Sequence, residues 1–259
     1  MERSLKARWI GAAAAALLLG GGALAGAALA QTPATPAHIA AALADPGRPA
    51  ADVARDGPRK PGELLAFAEV KPGQQVADFI MGGGYFTRIL SAAVGPEGRV
   101  HAYQPDEFIK FQASYGESLD QVAGSYGNVT ASRESLGALD LPDGLDLVLT
   151  VQNYHDLHLA AFPKDWAGKV NAEIFRSLKP GGLYVIVDHV AAPGAGLEAA
   201  QKVHRIEPAI VRQEVEAAGF QFVAESPLLR DAADPHAASV FDPSIRGKTD
   251  QFVMKFRKP

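Results

Sequence analysis

Short apolar runs alternate with amphipathic stretches from about residue 61 to the C-terminus. The runs are typical of strands buried on both faces, whereas apolar residues at helical spacing, such as Val170, Ile174 and Leu178, predict helices. Strands are predicted at residues 75–80, 99–103, 128–132, 145–151, 183–187, 220–224 and 251–256. Such alternation implies right-handed crossovers, so the pattern predicts an α/β fold with a doubly wound, mostly parallel seven-stranded sheet.

The turn residues between these runs predict where the helices begin and end. Helices are expected at residues 61–69, 106–122 and 207–218. Two more are expected, one from the glycines at 82–84 to about residue 94 and one that ends at the turn at 179–182. The last two strands have no helix between them. Residues 61–259 therefore form one predicted domain. The Pro- and Ala-rich residues 31–60 form an N-terminal extension, with a short helix near 38–44, that packs on this domain or caps it.

The first thirty residues have the pattern of an export signal. A basic start with Arg3, Lys6 and Arg8 is followed by an uncharged Ala/Leu/Gly run at residues 9–30. Ala28-Leu29-Ala30 fits the small-x-small rule, so residues 1–30 are predicted to be a signal peptide that is cleaved after Ala30, which places the protein in the periplasm. The alternative is a membrane anchor through residues 9–30, because this run is just long enough to span a bilayer.

Composition narrows the chemistry further. The 259-residue chain has no cysteine, which excludes thiolate nucleophiles, disulfides, iron–sulfur clusters and cysteine zinc sites. A formal net charge of −4 gives no sign of a nucleic-acid partner. The spacing of His155, His189 and His204 does not support a metal site, and none is predicted. Histidines and acids must therefore carry any chemistry.

A glycine run, Gly82–Gly84, stands between the first predicted strand and its helix. Glycines let a backbone approach a ligand closely, and a helix start offers free N–H groups, although a tight turn could also use them. A dinucleotide fingerprint requires a third glycine where Thr87 stands, and an acid near Gln104 at the end of the second strand. The loop therefore predicts a ligand other than NAD.

Several segments resemble the class I S-adenosylmethionine-dependent methyltransferases. The first motif of that family reads acid-x-Gly-x-Gly-x-Gly, and this chain has Asp78, then Ile80 in place of the first glycine, then Gly82 and Gly84. Leu-Pro-Asp-Gly at 141–144 and Leu-Lys-Pro-Gly-Gly at 178–182 are also similar to the family. The resemblance covers about residues 61–256 and implies a Rossmann-like methyltransferase fold whose last strand is antiparallel.

The resemblance also implies S-adenosylmethionine as the cofactor and assigns residues to it. Asp78 and the backbone of Gly82, Gly83 and Gly84 would face its methionine part, Gln104 the ribose, Glu134 the adenine and Asn153 the mouth shared with the substrate. Ile80 and Gln104 depart from the family pattern, in which a glycine and an acid are usual. An amide at position 104 can still donate and accept hydrogen bonds, more weakly than a carboxylate accepts them.

The loop after the fourth strand is the expected catalytic segment. His155 is predicted to be a general base that Asp156 or another acid orients, and Asp188 and His189 end the fifth strand at the same edge. Alternatively, Asp156 caps a helix and His155 bonds to the backbone. Tyr154 is expected to form a pocket wall.

Two further groups are candidates for contacts with ligands. His204 and Arg205 could hold a substrate carboxylate or phosphate, although Arg205 could instead pair with Glu207 on the surface. Arg55, Asp56 and Arg59 are candidates for a lid over the cofactor.

Two functions follow from these patterns. The first is an exported methyltransferase that acts on an unidentified small molecule. The second is an exported, non-catalytic binding protein with a degenerate methyltransferase fold, because S-adenosylmethionine is made in the cytoplasm and fold does not guarantee activity.

Overall fold

The computed structural model describes residues 34–259 together with Met1. Its centre is a seven-stranded sheet in the order β3-β2-β1-β4-β5-β7-β6. The strands are β1 Gln75–Phe79, β2 Arg99–Tyr103, β3 Val129–Ser132, β4 Leu145–Val151, β5 Leu178–His189, β6 Gln221–Ser226 and β7 Gln251–Arg257. Strands β1 to β5 are mutually parallel, and β7 runs antiparallel to both β5 and β6. The predicted fold class and the antiparallel last strand are confirmed.

Ten α-helices and two 3₁₀ turns connect these strands in the described residues. The helices are α1 Ala37–Leu43, α2 Ala50–Val53, α3 Asp56–Arg59, α4 Pro61–Phe67, α5 Tyr85–Val94, α6 Asp106–Phe111, α7 Ser114–Ser125, α8 Trp166–Ser177, α9 Glu198–Val203 and α10 Pro208–Ala217. The 3₁₀ turns are Leu136–Ala138 and His155–His158. Among the described residues, no helix is both long enough and apolar enough to cross a membrane. The predicted leader lies outside the described residues.

Two elements differ from the sequence-based expectation. The single helix predicted at 106–122 is divided into α6 and α7, because Gln112 adopts an extended conformation and its side chain donates to Ser114 Oγ. Strand β5 is longer than predicted and includes the Lys-Pro-Gly-Gly segment. There Gly181 has a φ of 79° and donates its N–H to the carbonyl of Lys258, so the C-terminus pairs with the segment that the sequence predicts to be a turn.

The apolar core is divided between the two faces of the sheet. Alternate residues of β5 point to opposite faces, so Val185 belongs to one cluster and Ile186 to the other. Helices α1, α4, α5 and α7 cover the first face, whereas α8 and α10 cover the second. Both faces of the parallel strands are therefore buried, which explains why these strands read as continuous apolar runs.

The N-terminal extension lies against α5. Ile39 and Ala42 of α1 are buried in the first cluster. Arg88 of α5 donates to Asp52 at 2.7 Å, which ties α2 to the same helix. Since α5 follows the glycine run, the extension is placed beside the loop that the sequence singles out.

Candidate functional site

The carboxyl ends of β1, β2, β4 and β5 meet at one edge of the sheet, because these strands are parallel neighbours. The topology brings together the residues that end these strands or follow them, namely Asp78, Gln104, Asn153, His155 and Asp188. Open parallel sheets bind their ligands at this edge.

The three glycines of the loop have different structural roles. Gly82 and Gly84 have φ values of 57° and 78°, in the region that favours glycine. A Cβ on Gly84 would lie 2.7 Å from Val122 Cγ2, so Gly84 is also required by packing against α7. A Cβ on Gly82 or Gly83 would meet no atom within 4 Å. Space is therefore open in front of the first two glycines, and the third closes the turn.

Ile80 keeps a glycine-like backbone where the family motif has its first glycine. Its φ is 62°, a left-handed conformation that is strained for a β-branched residue and typically costs about 1–3 kcal/mol. Asn153 Nδ2 donates to the carbonyl of Ile80 at 2.9 Å and to that of Val151 at 2.8 Å. The amide of Asn153 thus joins the start of the loop to the end of β4 and helps to hold the strained conformation.

Gln104 is fully buried beneath the loop. Its Oε1 accepts a hydrogen bond from the N–H of Gly82 at 2.8 Å. Its Nε2 is also buried and has no hydrogen-bond partner among the described residues. An unpaired buried donor typically costs about 1–3 kcal/mol, so a ligand that accepts from Nε2 would relieve a penalty that the unliganded protein carries.

Asp78 is buried at the end of β1 and accepts from Thr87 Oγ1 at 2.6 Å. Burial raises the pKa of this carboxyl group to about 6, although the hydrogen bonds from Thr87 and the charges of Arg59 and Arg88 oppose the shift. At neutral pH the site therefore contains a carboxylate that is mostly ionised but poorly solvated.

Arg59 reaches from the extension across the mouth of the sheet. Its Nη2 donates to Gln152 Oε1 at 3.0 Å, and its guanidinium lies 4.8 Å from the ring centroid of Tyr85, the first residue of α5. Burial lowers the pKa of Arg59 to about 10, and the nearby charge of Arg55 acts in the same direction, so Arg59 remains a cation at neutral pH. The carboxylate of Asp56 accepts hydrogen bonds from Tyr85 Oη and Arg48 Nη2, both at 2.6 Å.

His155 is buried between two acids. Its Nδ1–H donates to Asp188 Oδ1 at 2.8 Å, and its backbone N–H donates to Asp188 Oδ2 at 2.7 Å. Its Nε2 lies 3.3 Å from Asp156 Oδ1. Burial lowers the pKa of His155, but the charges of Asp188 and Asp156 outweigh burial and bring it to about 9. The residue that orients His155 is therefore Asp188, at the end of β5. The imidazole is protonated at neutral pH, so it must release the proton on Nε2 before it can act as the general base that the sequence predicts.

His204 and His189 lie beside His155 and its two acids. His204 has a left-handed backbone at the end of α9, and its Nδ1 is 3.8 Å from Asp156 Oδ1. His189 bonds through Nδ1 to Thr249 Oγ1 at 2.8 Å. Burial lowers the pKa of His189 to about 4, so its ring is neutral.

Three predicted contact residues are turned elsewhere or are exposed. Arg205 has no exposed surface and forms a two-bond ion pair with Asp234, at 2.7 and 3.1 Å, rather than pairing with Glu207. The hydroxyl of buried Tyr154 donates to Glu214 Oε2 and accepts from Asn171 Nδ2, both at 2.8 Å, in the core between α8 and α10. The side chain of Glu134 is exposed just after β3.

Two open cavities in the described part of the chain, of about 430 and 420 Å³, both include Arg176 in their lining. Neither is lined by any of the predicted site residues. The position of the candidate site therefore rests on the glycine loop and on the hydrogen bonds described above. It does not rest on either of these cavities.

No model of a known protein family matches this chain. Solved structures are similar to it in fold. A SAM-dependent methyltransferase from Aquifex aeolicus is 20% identical, with 77% of this chain and 89% of that chain covered and a TM-score of 0.54. A TehB-like SAM-dependent methyltransferase from Corynebacterium glutamicum is 16% identical, with 84% and 92% covered and a TM-score of 0.52. A possible exported protein from Bordetella parapertussis is 17% identical, with 78% and 67% covered and a TM-score of 0.50. The chain therefore has the fold of the class I SAM-dependent methyltransferases.

Proposed function

We propose that the protein is an S-adenosylmethionine-dependent methyltransferase that acts on a small-molecule acceptor. The observation that carries the proposal is the combination of open space in front of Gly82 and Gly83 with a buried, unpartnered Nε2 on Gln104, whose Oε1 accepts from the N–H of Gly82, within the described part of the chain. A ligand that reaches Nε2 would supply the missing acceptor. Such a ligand would also meet the free N–H groups at the start of α5.

The residues present fit the cofactor that the fold implies. Asp78, the backbone of Gly82, Gly83 and Gly84, Gln104, Glu134 and Asn153 would hold it, as the sequence suggests. Arg59 is added, because its cationic guanidinium lies 4.8 Å from the ring centroid of Tyr85, the residue that follows the glycine loop, and could neutralise a carboxylate there. The cofactor, when bound, supplies an electrophilic methyl group on a sulfonium.

The chain's own residues would align the acceptor and handle its proton. Methyl transfer depends mainly on alignment, with proton removal where the nucleophile requires it. We assign His155 and Asp156 to this proton, with Asp188 as the positioning residue, and His204 to the rim that meets the acceptor. Arg205 and Tyr154 are left out of the site, because their polar atoms are engaged by Asp234 and by Glu214.

We also propose that the protein works after export. Residues 1–30 support this through their basic, apolar and small-residue sequence. N-terminal sequencing of protein from the periplasmic fraction should give Gln31 as the first residue. Recovery of an intact leader in the membrane fraction would instead support an anchor through residues 9–30.

Calorimetry of the mature protein with S-adenosylmethionine and S-adenosylhomocysteine tests the cofactor. Gly83→Arg should abolish binding, because its side chain would fill the open space in front of the loop. Gly168→Arg is the matched control: this glycine is exposed on α8, and a Cβ there would also meet no atom within 4 Å, so the same substitution should leave binding unchanged. Absence of binding at millimolar ligand would overturn the enzyme proposal.

An exported binding protein remains the second candidate, since Gln104 stands where the family places an acid. A screen of acceptors for S-adenosylhomocysteine release distinguishes the two, and Asp156→Asn then tests the role assigned to Asp156. An enzyme should lose turnover in this variant while its cofactor affinity stays the same. A binding protein should release no S-adenosylhomocysteine with any acceptor, even though it binds the cofactor.

A further inference from the structure

Three side chains at the mouth of the sheet bring metal-ligand atoms together. One atom each from His155, Asp156 and His204 lies within 4.8 Å of the other two. Asp156 Oδ1 is 3.3 Å from His155 Nε2 and 3.8 Å from His204 Nδ1. We propose that this cluster binds a divalent first-row transition-metal ion such as Zn²⁺ through two imidazole nitrogens and one carboxylate oxygen.

The spacing of the three atoms suits such an ion. Ligand atoms that lie about 2.0–2.2 Å from a tetrahedral zinc ion are separated from each other by about 3.3–3.5 Å. The atoms of His155 and Asp156 already have this separation, whereas His204 Nδ1, at 3.8 Å from Asp156 Oδ1 and within 4.8 Å of the His155 atom, must move closer to both. The side chain of His204 is 28% exposed at the end of α9, so its ring has room to make this adjustment.

The orientation of His155 provides a second, independent argument. Asp188 is fully buried and engages both Nδ1–H and the backbone N–H of His155. This bond fixes the imidazole so that Nε2 faces Asp156 and His204. Histidines that bind metals almost always donate their other ring N–H to a carboxylate or carbonyl, which fixes the tautomer and strengthens the ligand.

The charges around the cluster also favour a dication, whose binding would displace the proton on His155 Nε2. With the ion bound, His155 and Asp156 would be its ligands, so the proton role proposed for them above belongs to the metal-free protein. The carboxylates of Asp156 and Asp188 flank a single imidazole, whereas the neighbouring guanidinium of Arg205 is held by Asp234. His189 is not a ligand in this arrangement, because its Nδ1 bonds to Thr249. Two nitrogens and one carboxylate oxygen suit zinc and similar ions better than magnesium or calcium, which prefer oxygen ligands.

Access to the cluster is from solvent. The side chain of Asp156 is 16% exposed, and the exposed ring of Phe241 packs edge-on against His204 at 4.8 Å between centroids. Three protein ligands leave at least one coordination position for water or another small ligand. That position would lie on the open side, beside the loop assigned to the acceptor.

Titration of the chelator-treated protein with Co²⁺ tests the proposal, because the visible absorption of Co²⁺ reports its coordination. We expect saturable binding of about one ion per chain, displaced by Zn²⁺. His204→Gln should weaken binding by at least about tenfold. The matched control is His236→Gln, which alters another part-exposed histidine paired with a carboxylate, Asp250, and should leave the titration unchanged.

Two further variants keep the test decisive. Asp156→Asn should also weaken binding, and Asp188→Asn should weaken it by about 10–100-fold although Asp188 does not touch the ion. Circular dichroism should show that the rim variants His204→Gln and Asp156→Asn remain folded. Failure of the wild-type protein to bind Co²⁺ saturably would overturn the proposal, as would binding that survives both rim substitutions. The titration contains no S-adenosylmethionine, so its outcome is separate from that of the proposed function.

Discussion

The carboxyl group of Asp78 should make the protein less stable as the pH rises. Its pKa is about 6 in the folded protein against an ordinary value of 3.8. The folded state therefore binds the proton more tightly than the unfolded chain does. The contribution of this carboxyl group to stability is fully present below its pKa in the unfolded chain, 3.8. It is lost as the pH rises through its pKa in the folded protein, about 6. A difference of about two pKa units corresponds to about 3 kcal/mol of unfolding free energy, all of it lost above about pH 6.

Substitution of Asp78 by Asn removes the titration and keeps an acceptor for Thr87. We expect the free energy of unfolding of Asp78→Asn, relative to that of the wild type, to rise by about 2.4 kcal/mol between pH 4 and pH 8, because part of the full contribution of about 3 kcal/mol is already lost at pH 4. Any fixed cost of an imperfect hydrogen bond shifts the whole curve, by about 1 kcal/mol, and leaves its slope unchanged. The other titrating groups are common to both proteins, so they cancel from the difference.

Urea unfolding followed by fluorescence and circular dichroism, at several pH values across this range, measures the difference. Thr87→Val provides a second point, because loss of its hydroxyl removes hydrogen bonding that lowers the pKa of Asp78 and should steepen the pH dependence of stability. A stability difference between Asp78→Asn and the wild type that stays constant within about 1 kcal/mol would refute the reasoning. The stabilised variant should bind S-adenosylmethionine more weakly, if the poorly solvated carboxylate is retained for ligand binding.

Three other substitutions test individual parts of the structure. Arg205→Met should lower the unfolding free energy by about 3–5 kcal/mol, because Asp234 is left as an uncompensated buried charge, and Arg205→Met/Asp234→Leu should recover much of this loss. Asn153→Ala should cost about 1–3 kcal/mol in urea unfolding and weaken cofactor binding in calorimetry, since both bonds that hold Ile80 and Val151 are lost. Tyr154→Phe should lower the unfolding free energy by about 1–3 kcal/mol, because the hydroxyl bonds to Glu214 and Asn171 in the core. Turnover should be unchanged. A fall in turnover at equal cofactor affinity would show that Tyr154 contributes to the site.

The fold is largely predictable because burial on both faces leaves a strong pattern. Strands β1, β4 and β5 read as apolar runs, and the turns between elements contain glycine and proline. The short helices α2, α3 and α9 are not predictable in this way, because a segment of four to six residues contains too few turns to show a helical period. The division of the helix near Gln112 depends on a side-chain bond that periodicity does not report.

The position of the site is predictable from the ends of the strands, but the pairing of its side chains is not. The parallel topology places Asp78, Gln104, Asn153 and His155 at one edge. His155 is predicted on that ground, whereas the other three are assigned by the resemblance to the methyltransferases. The partner of His155 cannot be chosen from sequence, because Asp156 is adjacent along the chain whereas Asp188 comes from the neighbouring strand. Arg205, predicted to contact a ligand, pairs with Asp234 instead. This pairing could not be predicted, because Asp234 lies in the irregular segment between β6 and β7, where no sequence pattern indicates it.

The two departures from the family motif affect different properties of the loop. Ile80 preserves its shape, since the backbone is held in the left-handed region that a glycine would adopt freely. Gln104 also preserves its shape, because Oε1 accepts from Gly82 as a carboxylate oxygen would, but it removes a negative charge and adds a donor at Nε2. A carboxylate at position 104 could accept from ribose hydroxyls through two oxygens, whereas this amide has a single acceptor oxygen, already engaged by Gly82, and a donor at Nε2. Loop geometry is therefore retained while the charge behind it is lost. The N–H groups of Gly82 and Gly84 already donate to Gln104 and Met81, so the affinity for a nucleoside ligand would have to come to a larger extent from Arg59 and from the N–H of Gly83.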